Sequence, residues 1–289
     1  KLYNIKSSIM DAYWHLLTLD NETQRLVDYL HQKYNLPNYI SPYLSYKGMT
    51  FDNFDNFLSP KLKNLLPDPF VFKDLEKGVN RLAEEVLNSR PIGIFGDYDV
   101  DGATSAALIA NYLEYCGCKS FIHIPDRFLE GYGPNEKALK GLHEKGTELI
   151  ITVDCGISSF EPLKAMSSVN LDLIVIDHHN PDITLPPAYA IINPKRIDTQ
   201  KGYEDLCAAG VTFIFLIGLN RELRNKGFFQ DKKEPNLFKF LDLVALGTVC
   251  DVVPLRGLNR AFVKQGLLVM KKRQNLGIKA LCDVSNVNN

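Results

Sequence analysis

The sequence contains no run of about 18 apolar residues, and so no segment that could cross a membrane as a helix. It has no CxxC pair among its six cysteines, Cys116, Cys118, Cys155, Cys207, Cys250 and Cys282. A chain of 289 residues can bury enough core to fold without disulfides, so reduced thiols and a cytoplasmic location are expected. Charge of neither sign is in excess: 33 basic and 34 acidic residues leave a net −1. The field of the whole molecule gives no sign of a nucleic-acid partner, although a local basic groove is compatible with it. Internal repeats and low-complexity tracts are absent. The opening Lys1-Leu2-Tyr3 is no signal peptide and has no Met before it, so the chain is expected to begin inside a longer protein.

What is present is the composition of a globular protein, 45% hydrophobic and 23% charged. Residues 1–90 read as a mainly helical N-terminal extension, with Leu26, Val27, Leu30 and Tyr34 at helical spacing. Residues 51–69 read as loop, because Asn, Asp and Pro interrupt short apolar pieces. A helix is expected over 75–89, with Val79, Leu82, Ala83 and Val86 on one face. From residue 91 strand and helix alternate. Short apolar runs at 91–95, 120–124, 149–153, 171–176 and 189–192 read as strands, and 103–115, 134–144 and 158–166 as helices between them. This rhythm predicts an α/β fold with a five-stranded parallel sheet flanked by helices. Residues 208–223, 237–249 and 259–272 then read as a helical C-terminal part. The expected division is an extension over 1–90, an α/β domain over 91–275, and a tail or start of a linker over 276–289 that frays at its Asn-rich end.

Acidic residues fall at the ends of the expected strands. Asp97, Asp99 and Asp101 follow the first, Asp154 the third, and Asp177-His178-His179 the fourth. Residues two apart in an extended chain face one side, so the first three carboxylates are expected to converge before Gly102. Gly96 lets the backbone turn, which makes Asp97 the weakest of the three. Any one of these acids alone reads as a helix N-cap, and either histidine alone as an ordinary surface residue. Ligands of open parallel sheets bind beyond the carboxyl ends of strands, and here three such ends carry ligand-type residues. Asp251 sits in the apolar run Val249-Cys250-Asp251-Val252-Val253, where a charge needs a partner or a metal. Asp177 reads as a residue that orients a histidine. Cys155 and Cys250 read as small buried fillers rather than nucleophiles.

Carboxylates held this close repel one another and are forced to take up protons. No Lys or Arg lies in residues 96–102, 153–156 or 177–179 to relieve them. One or two divalent cations would do so. Carboxylate with imidazole suits manganese or zinc, and magnesium less well where histidine binds directly. Two such ions would activate a water and clamp a phosphoryl group for in-line attack, which makes phosphoester hydrolysis the expected chemistry.

Four segments resemble, in order, the motifs of the DHH phosphoesterases: Gly96-Asp97-Tyr98-Asp99-Val100-Asp101-Gly102, Val153-Asp154-Cys155-Gly156, Asp177-His178-His179 and Gly247-Thr248-Val249-Cys250-Asp251. Further stretches resemble the RecJ family of bacterial single-strand-specific 5′→3′ DNA exonucleases. They include Leu66-Pro67-Asp68-Pro69, Pro125-Asp126-Arg127, Glu130-Gly131-Tyr132-Gly133-Pro134, Ile192-Asn193-Pro194 and Cys207-Ala208-Ala209-Gly210-Val211. The resemblance implies that residues 91–275 are a catalytic domain releasing 5′-mononucleotides from single-stranded DNA in repair and recombination. It implies two divalent ions, manganese preferred and magnesium acceptable. Asp99 and Asp154, with Asp97 nearby, would hold one; Asp101, Asp154, His178 and Asp251 would hold the other. His179 would contact the scissile phosphate or assist the leaving oxygen, acting with Asp154 and His178.

Arg127, Tyr132 and Asn193 are the candidate substrate contacts. A guanidinium suits phosphate and a phenol ring can stack on a base, while an exposed arginine and a simple turn are the plainer readings. Single-stranded DNA is the implied substrate, a single-strand-binding protein or a helicase the implied protein partner, and a monomer away from membranes the implied state. The family continues into a second domain with a Gly-rich, His-containing motif and an OB-type domain. No such Gly-rich stretch follows Arg273, so a catalytic-domain piece is expected. Two alternatives stand beside this reading. One is a DHH-type phosphodiesterase of short oligonucleotides or small nucleotides, against which the RecJ-like segments argue. The other is a non-catalytic DNA-binding relative, against which the full ligand set argues.

Overall fold

The computed structural model describes residues 3–6, 13–16, 19–37 and 39–287. They fall into two compact units, Lys1–Ser59 and Pro60–Asn289. In the first, β1 (Tyr3–Lys6) pairs antiparallel with β2 (Tyr13–Leu16). Three helices follow, α1 (Asn21–Tyr34), α2 (Ile40–Tyr46) and α3 (Phe54–Leu58). Asp20 caps α1 by accepting from the Thr23 N–H at 2.7 Å, satisfying a donor that the helix cannot. Leu26, Leu30 and Phe54 form the small core of this unit, with Tyr34, Leu44 and Phe57 packed against it.

The second unit opens with α4 (Leu62–Leu65) and α5 (Leu75–Leu87). Strand and helix then alternate through β3 (Ile92–Gly96), α6 (Val100–Cys116), β4 (Ser120–His123), α7 (Glu136–His143), β5 (Leu149–Val153), α8 (Phe160–Ala165), β6 (Asp172–Ile176) and β7 (Ala190–Ile192). Four helices close the chain: α9 (Ala208–Asn225), α10 (Leu241–Cys250), α11 (Gly257–Met270) and α12 (Leu276–Val284). Among the described residues no helix is long and apolar enough to cross a membrane.

The five strands β3 to β7 form one parallel sheet in the order β4-β3-β5-β6-β7. Their residues alternate between its two faces, as the two-residue period of a strand requires. Ile92, Ile94, Leu149, Ile151, Val153, Ile174 and Ile176 enter the core shared with α5, α6, α9 and α10. Phe95, Ile150, Leu173 and Val175 enter the second core, beneath α7 and α8. Both faces are covered, which is why these strands are apolar throughout rather than alternating with polar residues. The chain leaves β3 for β4 on one side and then crosses to β5 on the other. The gap between β3 and β5 at their carboxyl ends is therefore the switch point of the sheet, where parallel α/β folds leave a crevice.

Two expectations need correction. The boundary expected at residue 90 falls too late. Leu75, Val79, Leu82, Ala83 and Val86 are buried in the main core of the second unit, where α5 packs on α9 and β7. Residues 51–69 are not all loop, because α3 and α4 lie within them and bury Phe54 and Leu62. Residues 276–284, expected as a tail or the start of a linker, form helix α12: Asn275 caps it at the Ile278 N–H and Ile278 is buried. Asn288 and Asn289, part of the expected frayed end, lie outside the described residues.

Candidate active site

Three residues extend the sheet by one hydrogen bond each, and all carry chemistry. The Asp97 N–H donates to the Val153 carbonyl at 3.2 Å, that of Asp154 to Ile176 at 2.9 Å, and that of Asp177 to Ile192 at 3.0 Å. Backbone pairing thus fixes where these side chains start. Asp97 follows β3 and Asp154 follows β5, so the two acids flank the switch point. Asp154 has φ 61°, in the left-handed region that non-glycine residues rarely occupy, and such strain is typical of functional positions.

The other two acids of the first motif are not placed by strand alternation, as expected, but by the start of α6. Asp99 is its N-cap, accepting from the Gly102 N–H at 3.0 Å. Asp101 lies in its first turn and is buried. Gly102 allows this: a Cβ there would sit 2.5 Å from the Asp97 carbonyl oxygen. Asp101 also receives the Ala208 and Ala209 N–H groups at 2.6 and 2.9 Å, at the N-terminus of α9, where a negative charge is favoured. Helix α10 then passes close to this carboxylate, since a Cβ on Gly247 would meet Asp101 Oδ1 at 2.8 Å. One turn further on, Asp251 ends α10. A carboxylate at that end faces the negative pole of the helix, an unfavourable place without a cation.

His178 is buried, with its Nε2 3.2 Å from Asp154 Oδ1, 3.8 Å from Asp101 Oδ2 and 3.7 Å from Asp251 Oδ2. Three overlapping groups each bring their ligand-type atoms within 4.8 Å of one another: Asp97, Asp99 and Asp154; Asp101, His178 and Asp251; Asp154, His178 and His179. Asp97, whose direction the sequence left weakest, is in the first of them.

Asp177 is fully buried and accepts from four donors, the N–H groups of Ile157, His178 and His179 and the ring Nδ1 of His179 at 2.8 Å. Burial works against its charge, but the His179 hydrogen bond and the backbone donors outweigh it and hold the carboxyl below its ordinary range. It is therefore the acceptor, and the Nδ1 of the half-exposed His179 ring carries the proton. The same hydrogen bond raises the His179 pKa.

Of the candidate substrate contacts, Tyr132 reaches the centre of the site. Its hydroxyl donates to the Asp154 carbonyl at 3.2 Å and lies 3.3 Å from His179 Nδ1. Arg127 is exposed, its guanidinium 5.4 Å from the centroid of the Tyr98 ring, and Tyr98 stands between Asp97 and Asp99 in sequence. Asn193 is corrected: it is buried, donates to the His179 carbonyl at 2.9 Å and accepts from the Lys195 N–H, so it positions the histidine loop and cannot touch substrate. Cys155 is buried as expected, but Cys250 is exposed. The sequence reading missed Lys195, half-buried, whose positive charge is felt by His178, His179 and Asp251. Its only signal was its place just beyond a strand end.

The electrostatics show what the cluster lacks. Burial first, and then Asp101 and Asp99 beside it, push Asp154 up to about 11. Burial pushes Asp101 up to about 7 against the pull of the α9 N–H groups, and Asp251 adds to the rise. Asp97 and Asp251 are raised by burial, with Asp99 adding to each. Burial and the neighbouring His179 hold His178 down at about 4, so its ring is neutral, the form that binds metals. Asp97 Oδ1, Asp154 Oδ1, His178 Nε2 and Asp251 Oδ2 are buried and make no hydrogen bond. Buried polar atoms are nearly always satisfied, so four orphans converging on one place fit a divalent cation, and the cluster can hold one.

A parallel α/β sheet with carboxylates and imidazoles gathered at its switch point defines a scaffold for metal-assisted hydrolysis. The model of the DHH family, N-terminal domain, matches residues 91–248, and the chain belongs to that family. It is 40% identical over 233 residues to the single-stranded-DNA-specific exonuclease RecJ of Escherichia coli K12, covering 79% of this chain and 40% of that protein. The RecJ of Bacillus subtilis 168 is 36% identical over 218 residues, 75% of this chain and 26% of that protein. Among solved structures, an exonuclease RecJ bound to manganese is similar with a TM-score of 0.66 and 32% identity, over 78% of this chain and 54% of that one. The manganese complex of RecJ from Thermus thermophilus gives a TM-score of 0.71 and 27% identity, over 90% of this chain and 36% of that one. The chain thus spans well under half the length of these curated relatives.

Proposed function

We propose that this chain is the catalytic part of a metal-dependent exonuclease that hydrolyses single-stranded DNA from its 5′ end to 5′-mononucleotides. The observation that carries the reading is the set of four orphaned ligand atoms at the switch point of the sheet. The names of the curated relatives supply the substrate. The machinery lies within residues 91–275, inside the unit that begins at Pro60.

Asp97, Asp99 and Asp154 would hold one divalent ion and Asp101, His178 and Asp251 a second, with Asp154 shared between them. Manganese suits this carboxylate and imidazole set better than magnesium. Bound there, the ions would lower the pKa of a water and neutralise charge on the phosphate. Asp177 holds His179 by its protonated Nδ1, which leaves Nε2 as the nitrogen that would meet the substrate. The same hydrogen bond favours the imidazolium form of His179, which would give its Nε2 proton to the 3′ oxygen as the bond from phosphorus to that oxygen breaks, leaving the ring neutral with Nδ1 still on Asp177. Tyr132 braces both the Asp154 peptide and the His179 ring, and Arg127 is placed to meet a substrate phosphate. Such an activity calls for a single-strand-binding protein or a helicase that supplies a free end, and for a cytoplasmic monomer.

The test is hydrolysis of 5′-labelled single-stranded DNA in manganese by the wild-type chain and by Asp154→Ala. Labelled mononucleotide from the first and none from the second is expected. Equal release by both would remove Asp154 from the site, and release of internal fragments would remove the 5′ exonuclease assignment.

A further inference from the structure

The loop after β4 presents two large apolar side chains to solvent. Phe128 is 92% exposed and Leu129 86% exposed, and adjacent apolar side chains left this open mark a surface that binds something. The loop that carries them is built to stay in place. Asp126 Oδ1 accepts from the Phe128 and Leu129 N–H groups at 2.8 and 3.0 Å. Glu130 accepts from the Asp126 N–H at 2.9 Å and from Asn135 Nδ2 at 3.1 Å, and meets His123 Nε2 at 2.9 Å. The Glu130 N–H returns to the Asp126 carbonyl at 2.8 Å. Exposure here is therefore a fixed display.

The loop is tied to the candidate active site at both ends. On the near side Arg127 lies over Tyr98, inside the Asp97–Asp99 turn. On the far side the Tyr132 hydroxyl reaches the Asp154 carbonyl. An exposed aromatic residue that directly follows Arg127, whose guanidinium packs on the turn carrying Asp97 and Asp99, fits an alternating phosphate and base. A protein partner would use the apolar pair but would leave the arginine and the site beside it without purpose.

We propose that Phe128 is a stacking platform for an unpaired base of the nucleic acid entering the site, with Leu129 as its apolar shoulder. The inference rests on the single-stranded DNA reading above and adds how a single strand is gripped: a base can lie on this ring only if its face is free of a neighbouring base pair. Stacking of a base on an aromatic ring is sequence-tolerant and contributes about ten-fold in affinity or more.

The test uses single-stranded oligonucleotides with 2-aminopurine at successive positions from the 5′ end, made with phosphorothioate linkages so that binding precedes turnover. Wild-type protein should quench the fluorophore at one position. Phe128→Ala should abolish that quenching and weaken binding about ten-fold, and Phe128→Trp should retain both. An abasic site at the quenched position should weaken wild type and leave Phe128→Ala unaffected. Phe128→Ala that binds and quenches like wild type overturns the proposal, as does a wild-type chain that binds no oligonucleotide. Release of mononucleotides from the ordinary phosphodiester strand is scored separately. Quenching without cleavage sinks the nuclease reading alone, and cleavage indifferent to Phe128 sinks this inference alone.

Discussion

Stripping divalent cations from this protein should make it less stable, and increasingly so as the pH rises from roughly 6.5 to 8.5. The cause lies in the protons the cluster holds in place of a metal. A carboxyl whose folded pKa is raised gives stability that is complete below the unfolded value, near 4, and is lost as pH climbs through the folded one. For Asp154 the folded value is about 11, so in this window the native state keeps one proton that the unfolded chain has released. One excess proton removes about 1.4 kcal/mol of stability per pH unit, or about 3 kcal/mol across the two units. Asp101, with a value near 7, adds less than about 1 kcal/mol, because it gives up its proton early in the window. His179, whose pKa is also raised, acts in the same direction. His178 works the other way, because its pKa is lowered to about 4, but only as pH falls below its unfolded value near 6.5, outside the window. In EDTA the melting temperature should therefore fall by roughly 5–10 °C across the window. A bound cation takes the place of the protons, so with manganese the curve should be flat or rise. At a hundred times its dissociation constant the ion also adds about 2.7 kcal/mol. Calorimetry or thermal circular dichroism at several pH values, with EDTA or manganese, reads all of this. An EDTA melting temperature that climbs over the window, or equal values with and without manganese at its alkaline end, would refute the account of the cluster.

Smaller perturbations probe how the cluster is held. Gly102→Ala puts a Cβ 2.5 Å from the Asp97 carbonyl oxygen, and the overpacking should outweigh the gain in helix propensity. A net loss of about 1–2 kcal/mol in urea unfolding is expected, with weaker manganese binding; unchanged values would show that α6 can shift away freely. Val252, 85% exposed, has φ 59° just past the end of α10, where glycine is the usual residue. Val252→Gly should stabilise by about 1 kcal/mol, and a lower urea midpoint would contradict the strain assigned to it. Asp177→Asn removes the charge that orients His179 and should lower kcat about a hundred-fold while KM holds. A rise in KM at constant kcat would move Asp177 from orienting a catalytic group to shaping substrate binding.

The sheet was legible in the sequence because both its faces are covered. Apolar runs such as Leu149 to Val153 have no other use in a chain that then turns polar, and the acids that follow stand out for the same reason. What the pattern could not carry is everything decided between distant segments. Strand order makes Asp97 and Asp154 neighbours across the switch point, and order leaves no trace in the period of a single strand. Asp101 is fixed by Ala208 and Ala209, and no local rule joins an acid to a helix that starts so far along the chain. Asn193 was a candidate substrate contact through the resemblance of Ile192-Asn193-Pro194, yet its amide is spent on the His179 carbonyl. The same limit explains why the first motif converges for a reason other than strand alternation. After Gly96 the chain bends into α6, and Asp99 and Asp101 face the site from a cap and a helical turn. Asp251 shows what the combination adds. In sequence it is one charge among apolar residues; in the fold it ends α10 at the pole that repels it, 3.7 Å from a histidine and grouped with Asp101. Each of these placements alone is costly. Together they share one remedy, a cation that meets all of them at once, and that common remedy is a stronger argument for the site than any single motif.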